Sequence, residues 1–186
     1  MQTALILIDI QNDYFPGGKM ELVDMEIAAR NASQLLQRFR NNKLPIFHVK
    51  HISKRPNATF FIPGTLGVEI NDSVKPNANE VVINKHYPNS FRETNLHELL
   101  MQNNITKLMI CGAMSHMCID ATTRAAFDLG YQSTIISDAC ATKNLSIYGI
   151  DVSARQVHAA FMASLHGLFA HVGVSSDELN KCSVDY

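Results

Sequence analysis

Three side chains with different chemistry, a carboxylate, an amine and a thiol, lie at the ends of apolar segments. Asp9 closes one apolar run, Lys85 ends a second, and Cys118 lies just after a third. A thiolate is a nucleophile, a carboxylate can accept and return its proton, and an ammonium group stabilises both anions. These residue types predict nucleophilic catalysis, provided that the fold brings them together.

Each of the three residues also has an ordinary structural explanation. A lone cysteine is more often a small buried apolar residue than a nucleophile, and Asp9 fits equally well as a turn or cap residue. A solvated Lys85 at a strand end would be unremarkable. However, Cys118 opens a predicted helix, and the amides at a helix N-terminus favour a thiolate. A neighbouring lysine would lower the pKa values of both the Cys118 thiol and the Asp9 carboxyl group. The chemistry therefore depends on contact among the three.

Alternating apolar runs and amphipathic segments predict the elements that position these residues. Continuous apolar runs indicate buried strands, and spacings of three and four indicate helices, the first with Asp24 as its N-cap. The predicted strands span residues 3–9, 44–50, 81–84, 107–111, 132–137 and 168–172. The predicted helices span residues 25–42, 93–103, 117–129 and 153–166. This order predicts an α/β fold, a three-layer α/β/α arrangement around a Rossmann-like, mainly parallel six-stranded sheet, which binds ligands beyond its carboxyl strand ends.

Length and composition limit the classes of protein that fit. The chain has 186 residues, 46% of them apolar, and a formal net charge of -1, which predicts a single domain over residues 1–186 and no nucleic-acid partner. The early apolar run at residues 4–8 is short and follows no basic segment, so we expect a cytoplasmic protein without a membrane partner. The cysteines form no CxxC pair, which favours reduced thiols; they are Cys111, Cys118, Cys140 and Cys182.

Three ordered blocks of sequence resemble the isochorismatase-like cysteine hydrolase superfamily, which includes nicotinamidases, N-carbamoylsarcosine amidases and isochorismatases. The blocks are ALILIDIQNDY at residues 4–14, VINKHYPNSF at residues 82–91 and GAMSHMCIDATTRAA at residues 112–126, followed by SDACAT at residues 137–142. The similarity runs nearly end to end. It implies the isochorismatase-like hydrolase fold, a catalytic triad of Asp9, Lys85 and Cys118, and a homodimer or homotetramer.

The resemblance also implies a reaction, namely hydrolysis of a C–N bond in a small amide, carbamoyl compound or lactam. Asp9 would accept the thiol proton, Lys85 would stabilise the anions, and Cys118 would attack the carbonyl carbon to form an acyl-thioester. Asp9 would then protonate the leaving nitrogen and deprotonate water. By the same resemblance, the backbone amides of Met114 and Cys118 form the oxyanion hole, with a cis peptide bond between Ala113 and Met114.

The residues that flank the three blocks are candidates for the walls of a substrate pocket. Aromatic and amide side chains suit a planar or small polar molecule. The candidate substrate-binding residues are Gln11, Tyr14, His51, Tyr87, Asn89 and Phe91, with Met114 beside them. Phe91 fits equally well as a core residue, and Asn89 as a cap for the following helix.

A metal site near the second strand is disfavoured. Nicotinamidases of this superfamily carry an Asp-x-His element there, whereas this chain has no acid beside His51. His48 and His51 are three residues apart, so on a strand they point to opposite faces and make poor joint ligands. We therefore expect neither a catalytic metal nor a cofactor, and assign His51 to substrate. His86 and His116 are either site residues or structural histidines.

Three other functions compete with C–N hydrolysis. An isochorismatase would cleave a vinyl ether and release pyruvate, although the cysteine in the third block favours the amidohydrolase branch. A noncatalytic module would bind a small molecule on the same scaffold. Redox sensing through Cys118 and Cys140 is the weakest alternative, because the spacing is not CxxC.

Overall fold

The computed structural model describes residues 2–180, which form eight strands and five α-helices. The strands are β1 (Gln2–Ile8), β2 (Ile46–His51), β3 (Val81–Lys85), β4 (Ile105–Ala113), β5 (Gln132–Ala141), β6 (Leu145–Ile147), β7 (Ile150–Val152) and β8 (His171–Gly173). The helices are α1 (Met25–Asn41), α2 (Leu96–Gln102), α3 (Asp120–Asp128), α4 (Ala154–Leu165) and α5 (Ser175–Asn180). All six predicted strands and all four predicted helices are present, with shifted ends.

Six strands form one parallel sheet in the order β3-β2-β1-β4-β5-β8. Each of its five strand pairs is parallel. The chain builds outward from β1 to β3 and then returns to the other side of β1 with β4. The strand order therefore reverses between β1 and β4, where α/β sheets open a ligand-binding crevice at their carboxyl ends. The predicted α/β fold around a six-stranded sheet is confirmed.

The sheet separates two apolar cores. Because successive side chains of a strand point to opposite faces, Leu5 and Leu7 of β1 pack with α1, whereas Ile6 packs with α2, α3 and α4 on the other face. The apolar positions of α1 follow the predicted spacing and are fully buried at Ala32, Leu35, Leu36 and Phe39. Helices thus cover both faces, as the three-layer prediction requires.

Gly112 allows β4 to lie close against β1 just before the loop that carries Cys118. Its φ is +124°, and a Cβ atom at this position would overlap the backbone carbonyl of Ile8. Residues other than glycine rarely adopt this conformation, so a side chain would force the two strands apart. The glycine therefore fixes the separation between Asp9 and the loop after β4.

Two elements were not predicted. Strands β6 and β7 form an antiparallel hairpin whose two-residue turn, Tyr148 and Gly149, has φ values of +51° and +76°. Such a turn with glycine at its second position is a recognisable hairpin signal, so this element could have been predicted. Helix α5 begins at Ser175, whose backbone N–H and hydroxyl both donate to the carboxylate of Asp138, at 2.8 and 2.7 Å. This long-range contact leaves no local sequence signal.

The starts of two helices differ in how they are capped. The Ser153 hydroxyl accepts a hydrogen bond from Gln156 N–H at 3.3 Å, and the Gln156 side chain accepts one from Ser153 N–H at 3.0 Å, which completes a capping box at α4. Asp24 occupies the N-cap position of α1, as predicted. However, its φ is +60° and its side chain makes no capping hydrogen bond, so the predicted capping role is wrong.

Within residues 2–180 no helix combines the length and the apolar character needed to cross a bilayer. Cys111, Cys118 and Cys140 carry free, buried thiols. Cys182 lies outside the described residues. These three cysteines therefore form no disulfide bond within residues 2–180.

A buried ion cluster ties residues 75–80 to α1 and β2. Glu80 accepts from Arg40 Nε at 2.7 Å, and its other carboxylate oxygen lies 2.9 Å from His48 Nε2. The Glu80 side chain is only 7% exposed. Burial on its own would raise the pKa of Glu80, but hydrogen bonds from Arg40, the Asn77 amide and His48 outweigh it and lower the pKa to about 2. The ionised carboxylate thus stabilises the fold.

Replacing Glu80 by Gln tests this contribution. Because the folded-state pKa is below the unfolded-state value, the stabilisation is fully present above about pH 4.5 and is lost as the pH falls toward about 2. We expect Glu80→Gln to lower the free energy of unfolding at neutral pH by about 1–3 kcal/mol, measured by urea unfolding. The difference from wild type should shrink below pH 4.5.

The matched control is Glu69→Gln, since Glu69 also forms an ion pair, with Lys50, but its side chain is 54% exposed. An exposed ion pair contributes about 0–1 kcal/mol, so the control should be nearly neutral. A stability difference for Glu80→Gln that stays constant into acid would contradict the assignment.

Candidate active site

Asp9, Lys85 and Cys118 meet at the carboxyl end of the sheet. Lys85 Nζ lies 2.7 Å from Asp9 Oδ2 and donates to Cys118 Sγ at 3.1 Å. Asp9 directly follows β1, Lys85 ends β3, and Cys118 lies in a π-helical turn (Ser115–Ile119) between β4 and α3. Asp9 and Lys85 are fully buried, and Cys118 is 5% exposed. The three groups predicted to converge do so.

The Lys85 ammonium has two further partners. His51 Nδ1 lies 3.0 Å from Lys85 Nζ, and the Tyr87 carbonyl accepts from it at 3.1 Å. His51 and Lys85 are register partners in the β2/β3 pair, which explains why their side chains lie together. The Asp9 carboxylate forms an ion pair with the same ammonium group at 2.7 Å, and it also interacts with the Cys118 thiol. The thiol proton therefore has a carboxylate acceptor beside it.

Burial controls the protonation of these groups. It raises the pKa of Cys118 to about 12, with help from the charge of Asp9 and against the effect of Lys85. Burial likewise raises the pKa of Asp9, because the opposing effect of Lys85 is smaller. Burial alone would lower the pKa of Lys85, but Asp9 and Cys118 outweigh it and raise that pKa. Lys85 lowers the thiol pKa, as expected, but desolvation is the larger effect, so the expected net shift toward the thiolate is wrong.

His51 is neutral across the physiological range. Burial, followed by the charge of Lys85, lowers its pKa to about 3. Since the Lys85 ammonium donates to Nδ1, the ring proton is assigned to Nε2. The imidazole edge therefore offers a fixed donor next to the thiol.

A cavity of about 510 Å³ opens over Cys118. Tyr14, His51, Tyr87 and Met114 line it, as does Cys118 itself. The other lining residues are Ser53, Lys54, Arg55, Pro56, Asn57, Ala58, Thr59, Phe60, Phe61, His86, Pro88 and Met117. Most of this second group belongs to the long loop after β2, which carries no helical or strand periodicity and was not assigned to the site from sequence.

Three candidate substrate-binding residues lie outside the cavity wall. The Gln11 side chain, just after β1, is fully buried. Its amide group donates to the backbone carbonyl of His51 at 2.9 Å and accepts from the backbone N–H of His51 at 2.7 Å. Asn89 accepts from the backbone N–H of Phe91 at 2.9 Å, and the Phe91 ring stacks on Tyr131 with centroids 5.9 Å apart. Gln11 thus holds the backbone of His51, and the structure does not bring Asn89 or Phe91 to the cavity.

Asp13 holds the loop that forms the outer wall. Its carboxylate accepts from Phe61 N–H at 2.6 Å and from Lys19 N–H at 3.3 Å. A Cβ atom on Gly67 would overlap this carboxylate, so glycine leaves the room that Asp13 needs. Tyr14 and Phe61 pack with ring centroids 4.7 Å apart. Asp13 directly precedes a candidate wall residue, which is the sequence signal that could have found it.

The loop that carries Cys118 is anchored on both sides. The Ala113–Met114 peptide bond is cis, as the resemblance implied. Met117 and Ile119 both donate their backbone N–H groups to the Met114 carbonyl, at 2.9 and 3.2 Å. The Met114 N–H, in contrast, has no acceptor among the described residues. This amide is therefore free to bind a ligand oxygen.

Two histidines that had no assigned partner support the same loop. His158 Nδ1 lies 2.8 Å from the hydroxyl of Ser115, and His116 Nδ1 lies 2.6 Å from the hydroxyl of Thr142. His116 is therefore a structural histidine here, whereas His86 lines the cavity. These contacts join the start of the π-helical turn to α4 and to the residue after β5.

The possible metal ligands fall into two separate groups. His48 is directed to Glu80, away from His51, as expected for residues three apart on a strand. Ligand atoms of Asp9, His51 and Cys118 lie within 4.8 Å of one another, a spacing that suits a metal ion. However, Lys85 Nζ is within 3.1 Å of a polar atom of each, so its ammonium group already supplies the positive charge for these donors.

Comparison with known proteins gives the family. The isochorismatase domain matches residues 3–176. The isochorismatase family protein YddQ of Bacillus subtilis (strain 168) is 54% identical over 172 residues, which cover 92% of this chain and 96% of YddQ. Nicotinamidase 3 of Arabidopsis thaliana is 25% identical over 96% of this chain and 87% of its own length.

The fold comparison agrees with the sequence comparison. The crystal structure of an isochorismatase from Pseudomonas putida KT2440 superposes with a TM-score of 0.89 at 34% identity, covering 95% of this chain and 89% of that chain. The match extends over the whole sheet and both helical layers. By sequence and by fold, this chain belongs to the isochorismatase family and is a hydrolase.

Proposed function

We propose that the chain is a cysteine-dependent amidohydrolase that cleaves a C–N bond of a small amide, carbamoyl compound or lactam, with Asp9, Lys85 and Cys118 as its catalytic triad. The observation that carries this proposal is the Lys85 ammonium group, which contacts both the Asp9 carboxylate and the Cys118 thiol beneath an open cavity. This arrangement places a nucleophile, a proton acceptor and a fixed positive charge around one reacting carbon.

The nucleophile forms by proton transfer inside the site. With a pKa of about 12, the Cys118 thiol is neutral in the free protein at pH 7. The Asp9 carboxylate lies beside it and takes the proton as sulfur attacks the substrate carbonyl. Lys85 remains charged throughout, so the site contains one cation and one anion before and after the transfer.

The tetrahedral intermediate needs donors for its oxyanion, and we assign them to the backbone amides of Met114 and Cys118. The absence of an acceptor for Met114 N–H among residues 2–180 supports this assignment. Fixed amides of this kind contribute about 2.7–4 kcal/mol each to the transition state in other hydrolases. Collapse of the intermediate breaks the C–N bond, and Asp9 delivers its proton to the leaving nitrogen.

Hydrolysis of the thioester completes the cycle. Water enters the place left by the amine, Asp9 removes its proton, and the resulting hydroxide attacks the thioester carbonyl. The acid leaves, and Cys118 recovers its proton from Asp9. His51, Tyr14 and Tyr87 line the cavity and are proposed to contact the substrate, with His51 Nε2–H as a hydrogen-bond donor. Gln11 acts through the backbone of His51, and no observation favours a direct role for Asn89 or Phe91.

Vinyl-ether hydrolysis is the second candidate, because an isochorismatase is among the structural relatives. The two reactions differ in their products, so ammonia or amine release and pyruvate release separate them. We favour amide hydrolysis because a buried thiol adjacent to a proton-accepting carboxylate suits covalent attack on a carbonyl carbon.

Replacing Cys118 by Ala tests the nucleophile. We expect amide turnover to fall by at least about 10³-fold, as losses of a catalytic nucleophile do, while circular dichroism and the thermal midpoint stay close to wild type. The measurement is ammonia release over a panel of amides, ureas and lactams. The matched control is Cys140→Ala, which removes another buried thiol and should retain activity. Turnover by the Cys118→Ala protein would reject the mechanism.

The pH dependence of kcat/KM tests the protonation scheme. Since the pKa of Asp9 is raised, activity should fall on the acid side at a pH above the ordinary carboxyl value of 3.8, because protonated Asp9 cannot accept the thiol proton. No inflection should occur near the ordinary thiol pKa of about 8.5, because the Cys118 thiol ionises near 12. Alkylation of Cys118 by iodoacetamide should likewise show no plateau below pH 9. A step at pH 8–9 in either profile would contradict the scheme.

A further inference from the structure

The cavity over Cys118 carries charged side chains of one sign. Lys54 and Arg55 form part of its wall, and no Asp or Glu is among the lining residues described above. Asp9 lies buried beneath the floor, where Lys85 balances its charge. A molecule entering the cavity therefore meets two uncompensated positive charges and no exposed negative one.

Neither Lys54 nor Arg55 has an acidic partner among the described residues. Lys50 pairs with Glu69 at 2.7 Å and Arg40 pairs with Glu80, whereas no ion pair joins the side chain of Lys54 or Arg55 to a carboxylate within residues 2–180. Both side chains are exposed. Their charges are therefore available to a ligand.

The charge of Arg55 also reaches the reaction centre. Burial is the main cause that lowers the pKa of His51. The charges of Lys85, His86 and Arg55 follow, in that order. His51 in turn contacts Lys85 at 3.0 Å. Arg55 and Cys118 line the same cavity of about 510 Å³, so a group bound at Arg55 can belong to the same small molecule as an amide that reacts at Cys118.

Part of the cavity wall is apolar and aromatic. Phe60 and Phe61 pack with centroids 5.0 Å apart, and Tyr87 and Pro88 line the cavity with them. The hydrogen bond from Phe61 N–H to Asp13 holds this wall in place. An apolar or planar body can pack against this wall.

We propose that the substrate is an amphiphilic amide: its scissile carbonyl lies at Cys118, its apolar or planar body packs against Phe60 and Tyr87, and a carboxylate at its far end binds Lys54 and Arg55. This inference rests on the proposed function and names its substrate class. Arg55 offers a planar fork that matches a carboxylate, and Lys54 adds a second positive charge. The same charges attract anions to the cavity from solution.

Two matched pairs of amides test the inference. The pairs are 4-carbamoylbenzoate with its methyl ester and the aliphatic 4-carbamoylbutanoate with its methyl ester, so that each pair differs in charge and not in the amide. Binding is measured by calorimetry on the Cys118→Ala protein, which keeps the cavity without turnover. We expect the carboxylate of at least one pair to bind about 10- to 100-fold more tightly than its ester, the range for a charge-assisted contact.

Variants assign the preference to the two residues. In Lys54→Gln/Arg55→Gln the preference for the carboxylate should fall to about 2-fold or less, while ester binding stays unchanged. Arg30→Gln, on the exposed side of α1 and outside the cavity, is the matched control and should keep the full preference. Added salt at 0.5 M should reduce the preference, because exposed charges are screened.

Three outcomes would overturn the inference: acid and ester bind equally in both pairs, neither acid nor ester binds, or the preference for the acid survives in the double variant. The proposed function fails in a different way, through loss of Cys118 dependence in the ammonia-release assay. Cys118-dependent hydrolysis of neutral amides with no preference for the acids would reject the substrate class and leave the mechanism standing.

Discussion

A fully buried ammonium group is the constraint on which this site depends. Removing the Lys85 charge from water costs several kcal/mol unless nearby groups compensate it. The compensation comes from four directions: Asp9 at 2.7 Å, His51 at 3.0 Å, and the Tyr87 carbonyl and Cys118 sulfur at 3.1 Å. These partners come from the ends of three strands and the loop after a fourth. The strand order and register must therefore be correct before Lys85 can be buried.

In the proposed mechanism, the same burial explains how a thiol with a pKa of about 12 can serve as a nucleophile. One ammonium group balances one anion in this enclosed space, and a second anion would be uncompensated. The proton is thus shared between Asp9 and Cys118, and the two groups titrate as a coupled pair. A substrate carbonyl shifts the balance, since the negative charge can then pass from sulfur to an oxygen held by backbone amides. Reactivity arises during attack, and the resting thiol stays protected from other electrophiles.

The sequence was sufficient for the parts of the site that follow buried strands. Asp9, Lys85 and Cys118 each end or follow an apolar run, and parallel strands bring such positions to one edge. The contact between His51 and Lys85 required the register of β2 against β3, which no local pattern encodes. Gln11 was assigned to the pocket because it flanks the first sequence block, but a position beside a block does not indicate where a side chain points. The aromatic and basic wall lies in an irregular loop, whose path is set by long-range contacts such as the one made by Asp13.

The ammonium group also determines which residue must activate water. Asp9, His51 and Cys118 have donor atoms spaced as for a metal ion, but Lys85 fills that position with a monovalent cation that has no open coordination site. A zinc ion lowers the pKa of bound water to about 7, whereas an ammonium group only provides hydrogen bonds and charge. Water in this cavity therefore needs a separate base. In the proposed mechanism, Asp9 is the buried carboxylate beside the thioester carbon. Its raised pKa makes it a better proton acceptor than an ordinary carboxylate, both when the thiol attacks and when water attacks.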